Sequence, residues 1–332
     1  MASVDRRRFL CLSLGSAATL AFGGTWLAQG RTLQHRERRA SALGANVEMR
    51  VLHSDPAVAE AALDAAFAEL EAIEAVMSLY RPESQLCQLN REASLERPHP
   101  YLVEVLRQSQ DLAERSGGAF DPSVQPLWSL FATASRTGRS PSDEELNSAR
   151  AKVDWRRLVV TPERISLAPD MALTLNGIAQ GFAADRALAA LRKHGIEHAL
   201  VNAGELGALG VKSSQEPWTV GIQHPRIEDA YVSLVELDGR SLATSGDYAT
   251  SFTADRRDNH IFDPRTGRSP SEFASVSVLA PSGMLADGLS TTLFVLGLER
   301  GRRLIESLSN VDALFVLKDG STLATRGFPE HA

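Results

Sequence analysis

Apolar residues change their spacing near residue 157, and this change limits the choice of fold more than any other property of the chain. Before that point, most apolar residues recur every three or four positions, which is the spacing of amphipathic helices. After it, most apolar runs are short and have the character of strands. The sequence therefore predicts a mixed α+β fold, built as one large domain or as two closely packed lobes. Helices are concentrated in the first third and mixed sheets in the remainder, without regular βαβ repetition.

Individual elements follow from local signals. Asp55-Pro56 marks a helix start, because aspartate caps a first turn and proline suits the first helical position, and the helical spacing then continues to Met77. The sequence predicts a strand over 47–52 and further helices over 84–90, 100–116 and 141–152. Beyond residue 157 it predicts strands over 157–161, 164–168, 171–175, 198–202, 217–223, 231–237, 241–244, 260–262 and 275–280, helices from Ile178, over 284–297 and over 299–309, and a closing hairpin over 312–317 and 321–325.

The first 40 residues have the layout of an export signal. Arg6-Arg7 precedes a weakly hydrophobic run, and this is the twin-arginine pattern of a basic segment before an apolar one. The alternative is a single N-terminal membrane anchor, because the run is near the length that spans a bilayer. We expect residues 1–40 to direct export to the periplasm or another extracytoplasmic site, either cleaved near residue 42 or retained as an anchor. Residues 42–330 then form the functional domain.

The cysteine and charge counts bound the kind of protein further. Of the 2 cysteines, only Cys87 lies beyond the leader, so an internal disulfide is impossible and the domain depends on its core for stability. The 35 basic and 41 acidic side chains of the whole chain become 28 and 39 when residues 1–40, with seven Arg and two acids, are set aside. This acidic excess argues against a nucleic-acid partner.

The stretch LTLNGIAQGFAADRALAALRKHG, residues 173–195, is the first candidate site. A predicted strand ends at Leu175, Asn176-Gly177 breaks it, and a helix follows. Backbone N–H groups at a helix start lack internal partners and suit a phosphate, and glycine lets a ligand approach the backbone. An ordinary strand-to-helix turn is the alternative. The glycine spacings of Rossmann and Walker sites are not present.

A second candidate is the predicted helix that begins at residue 284. Asp287 and Thr291 stand four residues apart, so a carboxylate and a hydroxyl share one helix face. Hard oxygen ligands of this kind suit Mg²⁺, which takes one or two carboxylates and completes its shell with water and phosphate oxygens. The alternative is a capping aspartate with a threonine that only packs.

Three polar clusters fall near predicted turns: GGAFDP at 117–122, TSGDY at 244–248 and HIFDPRTG at 260–267. Asp-Pro and Thr-Gly pairs are common in turns, so a structural role is one interpretation. His260 nevertheless stands close to an acidic and a basic residue, and an imidazole can act on a proton or a phosphate near neutral pH. The remaining histidines show no metal-binding spacing, which argues against zinc.

Seven blocks, taken in order, carry a family resemblance. They are MSLYRPESQLCQLN (77–90), GGAFDPSVQPLWSL (117–130), LNGIAQGFAADRAL (175–188), ALVNAGE (199–205), TSGDY (244–248), HIFDPRTGRSP (260–270) and MLADGLSTTLFVLG (284–297). Together they resemble the signature blocks of the ApbE family, the FAD:protein FMN transferases. The resemblance spans residues 42–325, nearly the whole exported body.

The resemblance implies an enzyme that binds FAD and Mg²⁺. Such an enzyme moves the FMN half of FAD onto a threonine or serine hydroxyl of an acceptor protein and releases AMP. The resemblance assigns the metal to Asp287, Thr291 and the carbonyl of Gly177, and proton handling to His260 and Asp287. The residues that fall at FAD-contacting positions are Leu43, Tyr80, Ala119, Phe120, Asp121, Thr174, Gln180 and His260.

Three positions depart from the family pattern. The family usually has aspartate where this chain has Thr174 and lysine where it has Gln180, so one negative and one positive charge are missing from the expected nucleotide pocket. A further family aspartate is lost or replaced by Glu205. Threonine and glutamine still form hydrogen bonds, so we expect FAD binding to survive.

The expected partner is an acceptor protein with a threonine or serine modification site, such as a subunit of a membrane redox complex. Two other functions stay open at this stage. One is a flavin-binding accessory protein that holds or delivers FAD or FMN without transfer. The other is a Mg²⁺-dependent FAD pyrophosphatase, in which water replaces the protein hydroxyl.

Overall fold

The computed structural model describes residues 27–28, 31–213 and 216–329. The twin-arginine pair and the greater part of the predicted export signal lie outside these residues, so that signal stays a prediction. Within the described part of the chain, no helix is both long enough and apolar enough to cross a membrane.

The described residues contain fifteen strands and eight α-helices, so the predicted α+β class is confirmed. The strands are β1 (Leu27–Ala28), β2 (Arg31–Thr32), β3 (Gln34–Ala42), β4 (Ala45–His53), β5 (Ser94–Glu96), β6 (Val159–Val160), β7 (Arg164–Ser166), β8 (His198–Asn202), β9 (Leu206–Leu209), β10 (Trp218–Gln223), β11 (Tyr231–Leu237), β12 (Ser241–Gly246), β13 (Phe273–Ala280), β14 (Asp312–Leu317) and β15 (Thr322–Ala324). The helices are α1 (Pro56–Met77), α2 (Gln85–Glu92), α3 (Pro100–Arg115), α4 (Gln125–Arg136), α5 (Asp143–Arg150), α6 (Ala179–Lys193), α7 (Gly283–Leu296) and α8 (Leu298–Glu306).

Eight antiparallel strands form the central sheet, in the order β15-β14-β13-β12-β9-β8-β4-β3. A two-residue turn joins β3 to β4, and both of its residues, Leu43 and Gly44, have positive φ angles of 53° and 73°. Positive φ at both positions is the geometry that matches the twist of a tight hairpin. β12 and β9 lie in the middle of the sheet; β12 carries residues of the site described below, and another site residue immediately precedes β9.

Helices α1, α6 and α7 pack against each other and against one face of this sheet. Alternate residues of a strand face the same side, so Val47, Met49 and Val51 of β4 all enter the main hydrophobic core, each at most 1% exposed. β13 is buried along its whole length, because other elements cover both of its faces. This core gives α6 and α7 fixed positions.

The opposite face of the sheet is covered by the two-stranded ribbon of β10 and β11. Leu52 of β4 contributes to this second core, together with Trp218 and Val220 of the ribbon. The loop over 224–230, which joins the two ribbon strands, contributes residues to the wall of the main cleft.

The predicted strand over 171–175 is wrong. The backbone groups of Leu173 bond to a side chain instead of a neighbouring strand: the Asn90 amide donates to the Leu173 carbonyl at 2.9 Å and accepts from its N–H at 2.7 Å. The N–H of Thr174 donates to the carbonyl of Pro122. These bonds satisfy backbone groups of the segment without a neighbouring strand, so its sequence looks like a strand although it joins no sheet.

The predicted strand over 260–262 is also wrong, because only an isolated bridge between Ser251 and Asn259 forms there. Three strands and one α-helix beyond residue 33 were not predicted: β3, β5, β9 and α4. α4 has Pro126 in its first turn and buries Leu127 and Phe131, so a helical signal was present. β9 has only four residues, which is too short for alternation to be distinctive.

The folded domain begins earlier than the predicted boundary at residue 42. β3 starts at Gln34 and pairs with β4 along its length as the edge strand of the central sheet. Arg38 of β3 also bridges to Glu60 and Asp64 of α1. Cleavage near residue 42 would remove this edge strand and both bridges.

Candidate functional site

A cleft of about 580 Å³ opens between the central sheet, the N-terminal ends of α6 and α7, and the loop over 224–230. Clefts of this size suit small molecules and cofactors. Nine of the predicted site residues line it: Ala119, Phe120, Asp121, Thr174, Gly177, Gln180, His260, Asp287 and Thr291.

The other two predicted residues do not line the cleft. Tyr80 is 73% exposed on the surface. Leu43 lies in the β3–β4 turn, where its carbonyl accepts a hydrogen bond from Gln180 at 3.3 Å. The Gln180 side chain in turn packs closely on Gly204, since a Cβ on that glycine would come within 2.6 Å of the Gln180 amide carbon. Leu43 therefore helps to position a residue of the cleft wall.

Asp287 is positioned by the start of the neighbouring helix. Its carboxylate accepts a hydrogen bond from the N–H of Gly181, in the first turn of α6, at 3.0 Å. A free N–H at a helix start is a favourable partner for a carboxylate. The expectation that the α6 start meets a phosphate directly therefore needs correction, because Asp287 already occupies the N–H of Gly181.

The arrangement is reciprocal. Asp185 of α6 accepts from the N–H groups of Gly283 and Met284 at the start of α7, at 2.6 and 2.9 Å. Each helix thus supplies an aspartate that caps the other, and each aspartate lies four residues after a glycine at the contact. The two glycines allow the helix starts to touch, because a Cβ on Gly181 would lie 2.7 Å from Asp287 Cβ.

A carboxylate of the cleft, Glu205, lies close enough to Asp287 to be shifted by its charge, although the sequence marked it only as a departure from the family pattern. Its Oε2 accepts from the N–H of Thr244 at 3.1 Å. Burial, followed by the nearby Asp287 charge, raises the pKa of Glu205 well above its usual value. Burial, reinforced by Asp185, raises the pKa of Asp287 to about 7 against the opposing effect of the Gly181 and Gln180 N–H groups.

This excess of negative charge fits a hard divalent cation. The charged groups that shift the pKa of Asp287 and Glu205 are themselves carboxylates, so no cationic side chain offsets the charge of these two groups directly. The Thr291 hydroxyl also lines the cleft, beside Gly177. Among the described residues there is no cluster of three or more His, Cys, Asp or Glu that could hold a metal. A cation here would rely on carboxylates, neutral oxygens and water, as Mg²⁺ does.

Gly177 is required by a close approach rather than by backbone angles. A Cβ at this position would lie 2.9 Å from the Thr291 hydroxyl oxygen. Glycine therefore lets the turn before α6 pack directly on Thr291. This contact places the Gly177 backbone next to the proposed metal-binding hydroxyl.

His260 lines the cleft from the loop that precedes β13. Its Nδ1 lies 3.1 Å from the carbonyl oxygen of Thr250, and a carbonyl can only accept, so Nδ1 carries the proton. Burial lowers the His260 pKa, opposed by the Thr250 bond and by Asp247. The ring is therefore neutral near pH 7, and Nε2 is the nitrogen left to accept a proton.

Asp121 and Thr174 line the cleft but their polar groups are engaged within the protein. The Asp121 carboxylate accepts from the N–H and hydroxyl of Ser123 and from the N–H of Trp155. The Thr174 hydroxyl accepts from the N–H of Asn176. Both side chains therefore fix the loops that form the cleft wall.

An ion-pair cluster anchors one side of the cleft mouth. Asp247, which is fully buried, binds Arg226 through two bonds of 2.7 Å and also pairs with Lys318. Arg226 lies in the loop over 224–230 and lines the cleft. No motif in the sequence marked Arg226, because its partner Asp247 lies 21 positions away along the chain.

The fold and site together define an α+β protein with an acidic cleft of a size that suits a cofactor. Residues 43–315 match the family model described as the ApbE family. The chain therefore belongs to the ApbE family, as the sequence blocks indicated.

Curated relatives and solved structures agree with this assignment. The FAD:protein FMN transferase of Vibrio cholerae is 34% identical over 275 residues, covering 79% of this chain and 80% of the relative. That of Treponema pallidum is 33% identical over 315 residues, covering 87% and 86%. The solved flavin transferase ApbE from Vibrio cholerae superposes with a TM-score of 0.78 at 28% identity, covering 89% of this chain and 98% of that structure. The apo flavinyl transferase ApbE of Pseudomonas stutzeri gives a TM-score of 0.77 at 32% identity, covering 89% and 95%.

Proposed function

We propose that this protein is a Mg²⁺-dependent FAD:protein FMN transferase. It moves the FMN half of FAD onto a threonine or serine hydroxyl of an acceptor protein. The observation that carries this proposal is the pairing of Asp287 and Thr291 with His260 in one acidic cleft of an ApbE-family chain. The names of the relatives support the same activity.

The proposed step balances as a phosphoryl substitution. The acceptor hydroxyl oxygen forms a bond to the phosphorus of the FMN half, and the bond from that phosphorus to the AMP oxygen breaks. The hydroxyl proton passes to Nε2 of His260, and AMP leaves. Asp287, Thr291 and the Gly177 carbonyl would hold Mg²⁺, which would neutralise charge on the phosphates when bound. Asp287 stays ionised when it carries the cation.

His260→Gln is expected to lower the transfer rate by roughly 10²- to 10⁴-fold, the usual contribution of a general base. Because burial lowers the His260 pKa, the neutral base persists below pH 6.5, and wild-type activity should extend to lower pH than an exposed imidazole would allow. A pH–rate profile measures both effects. The matched control is His194→Gln, since the His194 ring also bonds a backbone carbonyl, that of Ala190, but does not line the cleft. Equal transfer rates for the two variants would show that His260 takes no part in the reaction.

Product analysis separates this function from the two alternatives. The purified domain is incubated with FAD and Mg²⁺, with and without an acceptor domain, and AMP, free FMN and protein-bound flavin are quantified. A transferase releases AMP together with an equal amount of protein-bound flavin, and only when the acceptor is present. A pyrophosphatase releases AMP and free FMN without acceptor. An accessory protein retains flavin and releases no AMP, and this outcome would make Thr174 and Gln180 the positions to revert to Asp and Lys.

The acceptor is proposed to be a membrane redox subunit on the extracytoplasmic side, since the leader has the twin-arginine pattern. Replacing Arg6 and Arg7 together by Lys is expected to keep the protein in the cytoplasm. Cell fractionation with detection of the full chain measures this. Unchanged export of the double variant would show that another route is used.

A further inference from the structure

Three hydroxyl groups form a row behind the proposed cation site. The Thr291 hydroxyl lies 3.0 Å from that of Ser245, and the Ser245 hydroxyl lies 2.7 Å from that of Ser290. Ser290 continues the row to the backbone carbonyl of Asp287 at 2.9 Å. Ser245 comes from β12, whereas the other members belong to α7. The row therefore connects the sheet to Thr291 and to the backbone of Asp287, the two residues whose side chains would bind the cation.

The direction of every proton in this row follows from its last member. A backbone carbonyl can only accept, so Ser290 must donate its single proton to Asp287. Ser290 then can only accept from Ser245, which uses the Ser245 proton. Ser245 in turn can only accept from Thr291. Each hydroxyl has one proton and two lone pairs, so one arrangement satisfies the whole row.

The consequence falls on Thr291. Its proton is directed toward the Ser245 oxygen, and its lone pairs point in other directions. A hydroxyl that ligates a cation must present lone pairs, because a proton facing the cation repels it. In a free threonine the proton would sample every direction.

We propose that Ser245 and Ser290 are positioning residues that hold Thr291 as a lone-pair donor toward the cation. This inference rests on the cation site of the proposed function and adds two residues to it. Ser290, which is fully buried, fixes the direction of the row, and Ser245 transmits it to Thr291. The row ends at the backbone carbonyl of Asp287, so α7, which carries this second ligand, also sets the direction of the protons.

The test is binding of Mn²⁺, a spectroscopic substitute for Mg²⁺, to the FAD-free full-length protein, measured by electron paramagnetic resonance. Ser245→Ala and Ser290→Ala are each expected to weaken binding by about 10- to 100-fold, the usual effect of losing a partner that orients a metal ligand. Ser245→Thr keeps the hydroxyl and is expected to restore most of the affinity. The thermal midpoint, measured on the same samples without metal, is expected to change far less than the affinity.

The chain offers a matched control. Ser277 of β13 is buried and its hydroxyl lies 2.8 Å from that of Thr244, the residue before Ser245. Ser277→Ala removes a hydroxyl pair of the same kind from the same part of the sheet, outside the row. It is expected to leave Mn²⁺ affinity within about twofold.

The outcomes separate the two levels of the proposal. If Asp287→Ala and Thr291→Val abolish binding while Ser245→Ala and Ser290→Ala behave like Ser277→Ala, the positioning role is overturned and the cation site stands. If Ser290→Ala alone has no effect, the inferred proton direction is wrong. If Asp287→Ala and Thr291→Val bind Mn²⁺ as the wild type does, the cation site itself is overturned. Should Ser245→Ala fail to fold, Ser290→Ala and Ser245→Thr still decide the question.

Discussion

Asp287→Asn is expected to abolish measurable FMN transfer and, at the same time, to make the metal-free protein more resistant to unfolding above pH 7. The loss of transfer follows because the amide supplies no negative charge to a divalent cation. The gain in stability follows because Asp287 is 3% exposed and its pKa is raised to about 7, mainly by burial. An ionised carboxylate at this buried position destabilises the folded protein until a cation is bound.

The sign of the pH effect follows from proton linkage. Between about pH 4 and pH 7 the unfolded chain has lost the Asp287 proton while the folded protein retains it, so the free energy of unfolding falls as pH rises through this window. At pH 8 this loss is on the order of 4 kcal/mol for the metal-free wild type. Asparagine does not ionise, and its side-chain oxygen can still accept from Gly181.

Urea unfolding of both proteins at pH 4.5 and pH 8, with and without Mg²⁺, measures this prediction. Mg²⁺ should stabilise the wild type at pH 8 but not the variant, since only a protein that binds the ion gains stability from it. The matched control is Asp185→Asn, which neutralises the other member of the capping pair but lies outside the cleft lining. The control is expected to retain Mg²⁺ binding. A variant with the same pH dependence as the wild type would contradict the role assigned to Asp287.

Gly181→Ala is expected to destabilise the protein more than a glycine-to-alanine substitution at any other position where α6 and α7 meet. The new Cβ would lie 2.7 Å from Asp287 Cβ and closer still to the carbonyl oxygen of Gly283. Neither group can rotate away, so α6 and α7 must separate. Overpacking of this kind costs typically 1–3 kcal/mol, and the cost is at the upper end when backbone must move.

The same substitution should also weaken Mg²⁺ binding. Separation of the helices breaks the bond from the Gly181 N–H to Asp287 and moves the carboxylate relative to Thr291. Gly301→Ala is the control, because the closest atom to its Cβ would be the flexible end of Leu293, at 3.3 Å, and its other contacts would be ordinary ones at 3.8 Å. Urea unfolding and Mn²⁺ binding are measured on both variants. If Gly181→Ala unfolds at the same urea concentration as Gly301→Ala, the close contact between the two helix starts does not exist in solution.

Periodicity predicted the long elements well because their packing is one-sided. α1 begins after Asp55 and ends at Met77, as its capping residue and apolar spacing indicated. The segment over 171–175 misled the same reasoning, because its hydrogen bonds go to the Asn90 side chain and to Pro122 rather than to a strand. Local sequence does not reveal which distant group satisfies an extended backbone.

The part of the site that lies on a single helix was predictable, because local spacing decides which residues share a helix face. Asp287 and Thr291 share a helix face, so their spacing alone brought them together, and both do line the cleft. Glu205, just before β9, and Ser245 of β12 reach the same place, and only the tertiary fold brings them near α7. One local signal was present and unused. The pattern of glycine followed four residues later by aspartate occurs at 181–185 and again at 283–287, where the two helices cap each other.

Intact mass spectrometry of an acceptor domain decides whether the protein is an FMN transferase. The purified domain, FAD and Mg²⁺ are incubated with the acceptor, in parallel with Asp287→Asn under the same conditions. We expect the acceptor to gain the mass of FMN less one water with the wild type and to remain unmodified with the variant. An unmodified acceptor in both reactions, with FAD still bound to the wild type and with the acceptor proven competent by a known transferase, would contradict the proposed function.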